Sequence, residues 1–283
     1  MGNRTVRLTK QLTKAIIISE AECQRTNSQS ILPVHLLIGC LEQDSFTVEE
    51  AKNHTGINLN AIRDSLVLKE NQLSGIYYEP FKMPVSLDTK QVLEEAVGYM
   101  RGYKQIFLNE GHVLKALINS GYVEQYLTLE QKHYLLSNAA ASRDMLMDLT
   151  DYVCPELKNK NIRKVIPADS EKLIQFIEDE FSGRWTESIK RGLDQTKSSI
   201  FIAMDSEGVI IGFAAYDVGE KEGYFGPMGV AKGSRTEGIG YSLLHHCLNE
   251  MRKQGYTEIV ISGAGPIEFY ERSCGAKVIP NGQ

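Results

Sequence analysis

Apolar residues in the first ~150 positions recur at helical spacing, segment after segment. The stretch Thr9–Arg25 carries Leu12, Ala15, Ile16 and Cys23 at intervals that place them toward one side of a helix. Pro33–Glu42 opens with proline at a first-turn position and continues through His35-Leu36-Leu37-Ile38, the pattern of a short buried helix. Leu59–Lys69 brings Ile62, Leu66 and Leu68 near one face, and Gly75, Pro80 and Pro84 then break the run. Thr89–Gly102, Asn109–Ile118 and Leu129–Met147 read as three further helical segments. No strand-like alternation is convincing in this half.

The first half also repeats. Thr9-Lys10-Gln11-Leu12 is echoed by Thr89-Lys90-Gln91-Val92, and Pro33-Val34-His35-Leu36-Leu37 by Glu110-Gly111-His112-Val113-Leu114. One such unit cannot close its own core, but two facing each other can, so the pattern predicts an all-α pseudo-two-fold repeat over residues 1–150. Asp148–Asn161 then loses periodicity and gains polar residues and a proline, which places the domain boundary there.

Beyond it the periods change. Ile162–Ile166 reads as a strand, Ala168–Phe181 as an amphipathic helix and Arg184–Thr196 as a second helix. Ser199–Met204 and Val209–Val218 flank the turn Asp205-Ser206-Glu207-Gly208 as a hairpin, and Glu222–Val230 supplies another strand. Gly238–Gln254 is a long amphipathic helix stopped by Gly255. A strand at Glu258–Ser262, a short helix at Pro266–Ser273 and a strand at Lys277–Ile279 complete the order β-α-α-β-β-β-α-β-α-β. The whole is a two-domain α+β protein, with a mixed α/β second domain over residues 161–283.

Composition narrows the function. The chain has 283 residues, a net charge of −5 and a pI near 5.8, with no basic field for nucleic acid and no polybasic patch for anionic lipid. The five cysteines are scattered and form no CxxC pair, which fits a reducing compartment and argues against a four-cysteine zinc site. The start Met-Gly-Asn-Arg-Thr-Val-Arg has no apolar core of a secretory signal, and the longest apolar runs are too short to span a bilayer; the expected location is the cytoplasm. The oligomeric state is open, a dimer included.

The chemistry gathers at Ala231-Lys232-Gly233-Ser234-Arg235-Thr236-Glu237-Gly238-Ile239-Gly240, between a strand and a helix. Unpaired N–H groups of a first helical turn, aided by the helix dipole, make an anion site there. Glycine at 238 and 240 removes the Cβ atoms that would keep a diphosphate away. A Rossmann turn is excluded because Leu243 stands where the third glycine belongs, and no P-loop Gly-Lys-Ser/Thr is present.

Arg235-x-x-Gly238-x-Gly240 after Met228-Gly229-Val230, followed by Phe269-Tyr270-x-x-x-x-Gly275-Ala276, resembles the acetyl-CoA signature of the GNAT superfamily of N-acetyltransferases. The resemblance runs from Ile162 to about Ile279 and implies an acyl-CoA N-acyltransferase fold with acetyl-CoA as co-substrate and no metal. It implies that main-chain groups of Met228 and Val230 hold the pantetheine arm, with the Val230 N–H facing the thioester oxygen. N–H groups of Thr236, Glu237, Gly238, Ile239, Gly240 and Tyr241 would hold the pyrophosphate, with Arg235 beside them and Ser242 adding a hydroxyl. Tyr270 matches the tyrosine that protonates the departing thiolate. Glu222, at the start of the strand before the turn, is the candidate general base, with Asp217 and Tyr224 as lesser ones. Departures are Gly263-Ala264-Gly265 in place of an asparagine after the fifth strand, Ala276 in place of a phenylalanine, and an apparently truncated last hairpin.

The histidines read differently. His245 and His246 are adjacent on a helix and point about 100° apart, so they do not converge on a metal. His35 and His112, in equivalent places of the repeat, are expected to pack or cap their helices.

The repeat containing Pro33-Val34-His35-Leu36-Leu37 resembles the N-terminal domain of Clp chaperone ATPases, over about Thr5 to Met147. That implies a module that binds adaptor or substrate proteins. No Walker sequence follows it. Two functions are therefore expected: N-acetylation of a small-molecule or protein amine, or a non-catalytic CoA-sensing adaptor. The intact turn and Tyr270 favour the first, and the departures favour the second.

Overall fold

The computed structural model describes residues 6–42, 45–67, 74–103, 105–158, 161–235 and 238–280. The chain forms two compact units that divide between Ser142 and Arg143. The first is helical and the second is a mixed α/β sheet domain.

The first unit runs β1 (Arg7–Leu8), α1 (Lys10–Arg25), α2 (Pro33–Leu41), α3 (Phe46–Thr55), α4 (Leu59–Val67), α5 (Leu87–Gly102), β2 (Phe107–Leu108), α6 (Glu110–Asn119) and α7 (Leu129–Tyr134). The expected tail of the third predicted helix, Leu68 and Lys69, lies outside the described residues. The repeat is present with one offset throughout: 77 residues separate Lys10 from Leu87 and Pro33 from Glu110. The sequence echo of Thr9 with Thr89 is therefore displaced; the structural counterpart of Thr9 is Ser86. Both are N-caps, with Thr9 Oγ1 accepting the Leu12 N–H at 3.2 Å and Ser86 Oγ accepting the Thr89 N–H at 3.1 Å. Short backbone pairings cross between the halves, β1 with β2 in parallel and Ile31 with Val85. The apolar faces of α1, α2, α5 and α6 close over one core that includes Leu12, Leu36, Leu37, Val92, Leu114 and Leu117. Helix α3 has no counterpart among the expected elements; only Thr47, Val48 and Ala51 are buried along it.

His35 and His112 each sit at the third position of their helices. Nδ1 of His35 accepts the Leu32 N–H at 3.1 Å, and Nδ1 of His112 accepts the Asn109 N–H at 3.2 Å. The ring thus replaces the glutamate of an ordinary capping box. Burial holds both pKa values down to about 4, so both rings are neutral acceptors near pH 7.

The second unit begins with β3 (Arg143–Asp148) and continues β4 (Ile162–Lys164), α8 (Ser170–Phe181), α9 (Thr186–Leu193), β5 (Ile200–Met204), β6 (Ile210–Tyr216), β7 (Tyr224–Val230), α10 (Ile239–Lys253), β8 (Glu258–Ala264), α11 (Ile267–Cys274) and β9 (Lys277–Val278). The strands lie in the order β4-β5-β6-β7-β8-β3-β9, antiparallel except for β7 with β8. Helices α8 and α9 cover one face through Leu173, Ile177 and Ile189 against Ile200, Ile202 and Phe213. Helices α10 and α11 cover the other through Leu243, Leu244, Leu248 and Tyr270 against Ala214, Phe225, Ile259 and Ile261.

Two expectations change here. The helical segment predicted over Leu129–Met147 ends early: α7 stops at Tyr134, a wider turn spans Leu135–Ala139, and Arg143–Asp148 is a strand. Along it Arg143, Met145 and Met147 are buried while Asp144, Leu146 and Asp148 are exposed, which is the period of a strand. The last strand, β9, is not left without a partner. β3 comes from upstream of β4 and inserts between β8 and β9, pairing Met147 with Ile259 and Met145 with Val278.

Candidate active site

β6 and β7 set the main-chain groups of the site. The N–H of Ala231 donates to the Ile211 carbonyl at 2.8 Å, and the register pairs Phe213 with Gly229. Residues alternate along a strand, so Gly229 and Ala231 turn their hydrogen-bonding groups toward β6. Met228 and Val230 turn theirs the other way, toward β8. β7 and β8 are joined only at Tyr224 with Val260 and Phe225 with Ile261; beyond Phe225 they part.

The parting has a local cause. The step from Ala214 to Tyr216 on β6 is matched by the longer step from Met228 to Phe225 on β7, a bulge at Gly226-Pro227. On the facing strand the step from Arg143 to Met145 on β3 is matched by the longer step from Ala264 to Ile261 on β8, a second bulge at Ser262-Gly263. Gly226 has φ 121° and Gly263 φ 57°, backbone that a side-chain-bearing residue rarely adopts. Both strands are therefore bent apart at the same level, and the main chain of Met228 and Val230 lines the opening.

The opening leads to the start of α10. Gly238, its N-cap, has φ 72°, and the Ser242 N–H already donates to the Gly238 carbonyl at 3.0 Å. The N–H groups ahead of Ser242, those of Ile239, Gly240 and Tyr241, are the ones a helix start leaves without intrahelical partners. A Cβ placed on Gly240 would stand 3.7 Å from Val230 Cγ2, 3.8 Å from the Phe269 ring and 4.0 Å from Met228 Cε. Gly240 thus faces the same opening as Met228 and Val230, and its missing side chain is space at the site. Thr236 and Glu237 lie outside the described residues. Arg235 is half-buried and folded back, with Nε donating to the Val230 carbonyl at 2.9 Å. Burial lowers its pKa, opposed by the Glu180 carboxylate. Glu180 also accepts the Lys232 N–H at 3.2 Å and so ties the end of α8 to the loop before the turn. Ile239 is buried, and Ser242 is buried at 2% exposure, its side chain turned into the fold.

Tyr270, on α11, is 7% exposed. Its ring is edge-on to Phe225, with centroids 6.3 Å apart, and to Phe269 at 5.0 Å. Burial, with a smaller push from Cys274, raises its pKa, so the hydroxyl keeps its proton through the neutral range. Glu222 stands exposed ahead of β7. It lies three positions before Phe225, on the far side of a bend at Gly223, where φ is 79°. Asp217 is engaged in the hairpin: its carboxylate accepts the Tyr224 N–H at 3.1 Å and the Tyr256 hydroxyl at 2.9 Å. The structure brings Met228, Val230, Arg235, Gly238, Gly240 and Tyr270 together and leaves Glu222 to one side.

Residues 7–130 match the Clp repeat (R) N-terminal domain family, and residues 170–276 match the acetyltransferase (GNAT) family. The chain joins a Clp N-type domain to a GNAT domain. Among curated proteins, the chaperone protein ClpB of Rickettsia felis is 25% identical over 112 residues, which is 39% of this chain and 13% of ClpB. Among solved structures, a GCN5-related glucosamine N-acetyltransferase region of a fungal multi-domain β-N-acetylglucosaminidase is 19% identical with a TM-score of 0.43, covering 49% of this chain and 20% of that one. The N-terminal domain of the chaperone ClpD from Arabidopsis thaliana is 20% identical with a TM-score of 0.37, covering 48% of this chain and 97% of that one. The chain thus spans about one eighth of the curated relative and one fifth of the fungal protein. None of the described helices is long and apolar enough to cross a membrane.

The GNAT domain also holds a buried polar link that residue spacing does not reveal. His245, on α10, has Nε2 3.0 Å from the Ser273 carbonyl on α11 and Nδ1 2.7 Å from the Tyr152 hydroxyl. With Nε2 protonated toward the carbonyl, Nδ1 accepts from the tyrosine, and the ring is neutral. Burial lowers its pKa, partly offset by the bond to Ser273. Tyr241, whose N–H belongs to the first turn of α10, packs on the His245 ring at 4.3 Å. His246 turns instead to Phe201, with ring centroids 5.4 Å apart, so the two rings diverge. A single link therefore runs from the turn of α10 to the helix that carries Tyr270. Its partners come from residues 93 and 28 positions away, which no local pattern connects.

Proposed function

We propose that the GNAT domain is an acetyl-CoA-dependent N-acetyltransferase acting on an amine acceptor by direct attack in a ternary complex. The observation that carries this reading is the parting of β7 from β8, lined by the outward main chain of Met228 and Val230 and leading to Gly240 at the start of α10. An extended pantetheine arm would pair with Met228 and Val230 as an added strand. The pyrophosphate would lie on the N–H groups of Gly238 to Tyr241, where the helix dipole favours negative charge. Arg235 would leave the Val230 carbonyl to meet it, or hold that carbonyl so that the Val230 N–H keeps its direction.

The Val230 N–H is the proposed donor to the oxygen that gains charge as the amine attacks the thioester carbon. As the carbon–sulfur bond breaks, Tyr270 would donate a hydrogen bond, and then its proton, to the leaving sulfur. Its raised pKa makes the hydrogen bond the larger contribution. Glu222, exposed and set back, would take the amine's proton through water. Most of the acceleration comes from positioning and fixed dipoles. The Clp N-type domain would act as a protein-binding module that brings the transferase to its target.

The test is calorimetry of the full chain with acetyl-CoA, followed by an amine screen that detects free CoA thiol. Binding with turnover of an amine supports the transferase. Binding without turnover on any amine class supports the CoA-sensing adaptor, and no binding sinks both.

A further inference from the structure

The inserted strand β3 brings a carboxylate to the parting of β7 and β8. Arg143 and Met145 are buried, so Asp144 between them faces the opposite side of the sheet. Met145 and Met147 pack in the core under α10, whereas Gly229 lies directly beneath Phe181 on the α8 side, its position leaving no room for a Cβ. Asp144 therefore lies on the α8 face, away from the helix that would carry the donor's phosphates.

Its position along the sheet is fixed as well. It stands opposite the Ser262-Gly263 bulge, one to two residues past the last rung that joins β7 to β8. Its Oδ1 accepts the Gly263 N–H at 2.7 Å, which holds the carboxylate at the mouth of the opening. Among the described residues the other oxygen has no hydrogen-bond partner, and Asp144 and its neighbours Ser262 and Leu146 are all exposed on this face. With α10 and α11 covering the opposite face, an acceptor reaches the thioester from the side on which Asp144 stands. The Gly263-Ala264-Gly265 stretch offers no side chain with which to hold it.

We infer that Asp144 is the acceptor-anchoring group: its carboxylate takes up the ammonium of a cationic primary amine and sets the acceptor at the parting of β7 and β8, where the attacking nitrogen gives its proton through water to Glu222 before it meets the thioester. This rests on the transferase reading above. It makes the preferred acceptor a charged alkylamine, such as a polyamine or a lysine side chain, over an uncharged arylamine, and it makes a residue upstream of the matched GNAT segment part of the site.

The experiment compares the full chain with Asp144→Asn, whose amide oxygen still accepts from Gly263 but carries no charge. Spermidine and p-anisidine serve as cationic and neutral acceptors. The expected result is a KM for spermidine raised tenfold or more, with the KM values for p-anisidine and acetyl-CoA unchanged. Equal KM values for spermidine in the two proteins overturn the inference. If acetyl-CoA binds and no amine is turned over, the transferase reading has failed by itself, and calorimetry of spermidine with the CoA-loaded chain then decides. Binding that is lost in Asp144→Asn supports the anchor; binding that is absent in the parent chain or equal in both overturns it.

Discussion

The Tyr270 ring meets the Phe225 ring edge-on, centroids 6.3 Å apart, at the last rung where β7 is still joined to β8. The phenol is thereby placed at the root of the opening, not along its walls. Removing only the hydroxyl, in Tyr270→Phe, leaves both ring contacts in place. The expected outcome is unchanged acetyl-CoA affinity and a kcat lower by about 10²-fold, at the low end for general acid catalysis. Tyr270→Ala is expected to cost about 3–5 kcal/mol of stability by opening a cavity under β7. Steady-state kinetics and denaturant titration separate the two. A kcat that survives Tyr270→Phe ends the acid assignment.

β3 makes a prediction about fragments. Residues 143–283 contain every strand of the sheet and both of its cores. Residues 161–283, which the change of pattern in the sequence would select as the domain, lack β3. They leave the facing edges of β8 and β9 unpaired, with Ile259 and Ile261 losing Met145 and Met147 as neighbours. Unpaired edges aggregate. The longer fragment is expected to be soluble and cooperative in thermal melts, and the shorter one to precipitate or remain unfolded. Equal stability of the two would show that β3 is dispensable to the sheet.

How far the fold was legible turns on such cases. The glycine turn, the helix after it and the Phe269-Tyr270 segment have local signatures, and the structure places them together. Arg143-Asp144-Met145-Leu146-Met147-Asp148 does alternate in burial, yet it follows a helical run, and Leu146 on the exposed face blurs the period. Helix α3 escaped notice because its buried stripe is only Thr47, Val48 and Ala51. The carboxylate of Asp144 at the opening could not be read at all, because a pairing across more than a hundred residues puts it there.

The two capping histidines predict a pH dependence of the first unit. Their folded pKa values, about 4, lie below the unfolded value near 6.5. The neutral rings therefore contribute stability that is present above pH 6.5 and lost as the pH falls toward 4, because the unfolded chain takes up protons first. At one pKa unit per 1.36 kcal/mol, each histidine accounts for up to about 3 kcal/mol. Hydrogen exchange on the full chain is expected to show amides of α2 and α6 losing protection across this range, while those of α10 change less. His35→Gln and His112→Gln together would flatten the dependence.

Gly240 separates stability from donor binding. A Cβ there meets only ordinary contacts at 3.7 to 4.0 Å. Gly240→Ala is therefore expected to be neutral or to add up to about 1 kcal/mol of stability, since alanine favours the helix. The same methyl group would occupy the space between Val230, Met228 and Phe269 into which the donor must fit. Acetyl-CoA affinity is expected to fall tenfold or more. Calorimetry alongside a thermal melt checks both signs at once, and an unchanged affinity would place the donor elsewhere.

The link through His245 ties the two helices that would carry the donor and Tyr270. In His245→Phe the ring still packs between Tyr152 and Tyr241, but the Ser273 carbonyl loses its donor and the buried Tyr152 hydroxyl loses its acceptor at Nδ1. The hydroxyl keeps only the long bond to the carbonyl of residue 245, at 3.4 Å, and a buried group left unmatched costs about 1–3 kcal/mol. Adding Tyr152→Phe removes the poorly matched hydroxyl and is expected to recover part of that stability without restoring the tether to α11. The double variant is thus the informative one. If the tether positions Tyr270, kcat stays low in the double variant while acetyl-CoA binding and stability return toward those of the parent. If kcat recovers together with stability, the link serves the fold alone.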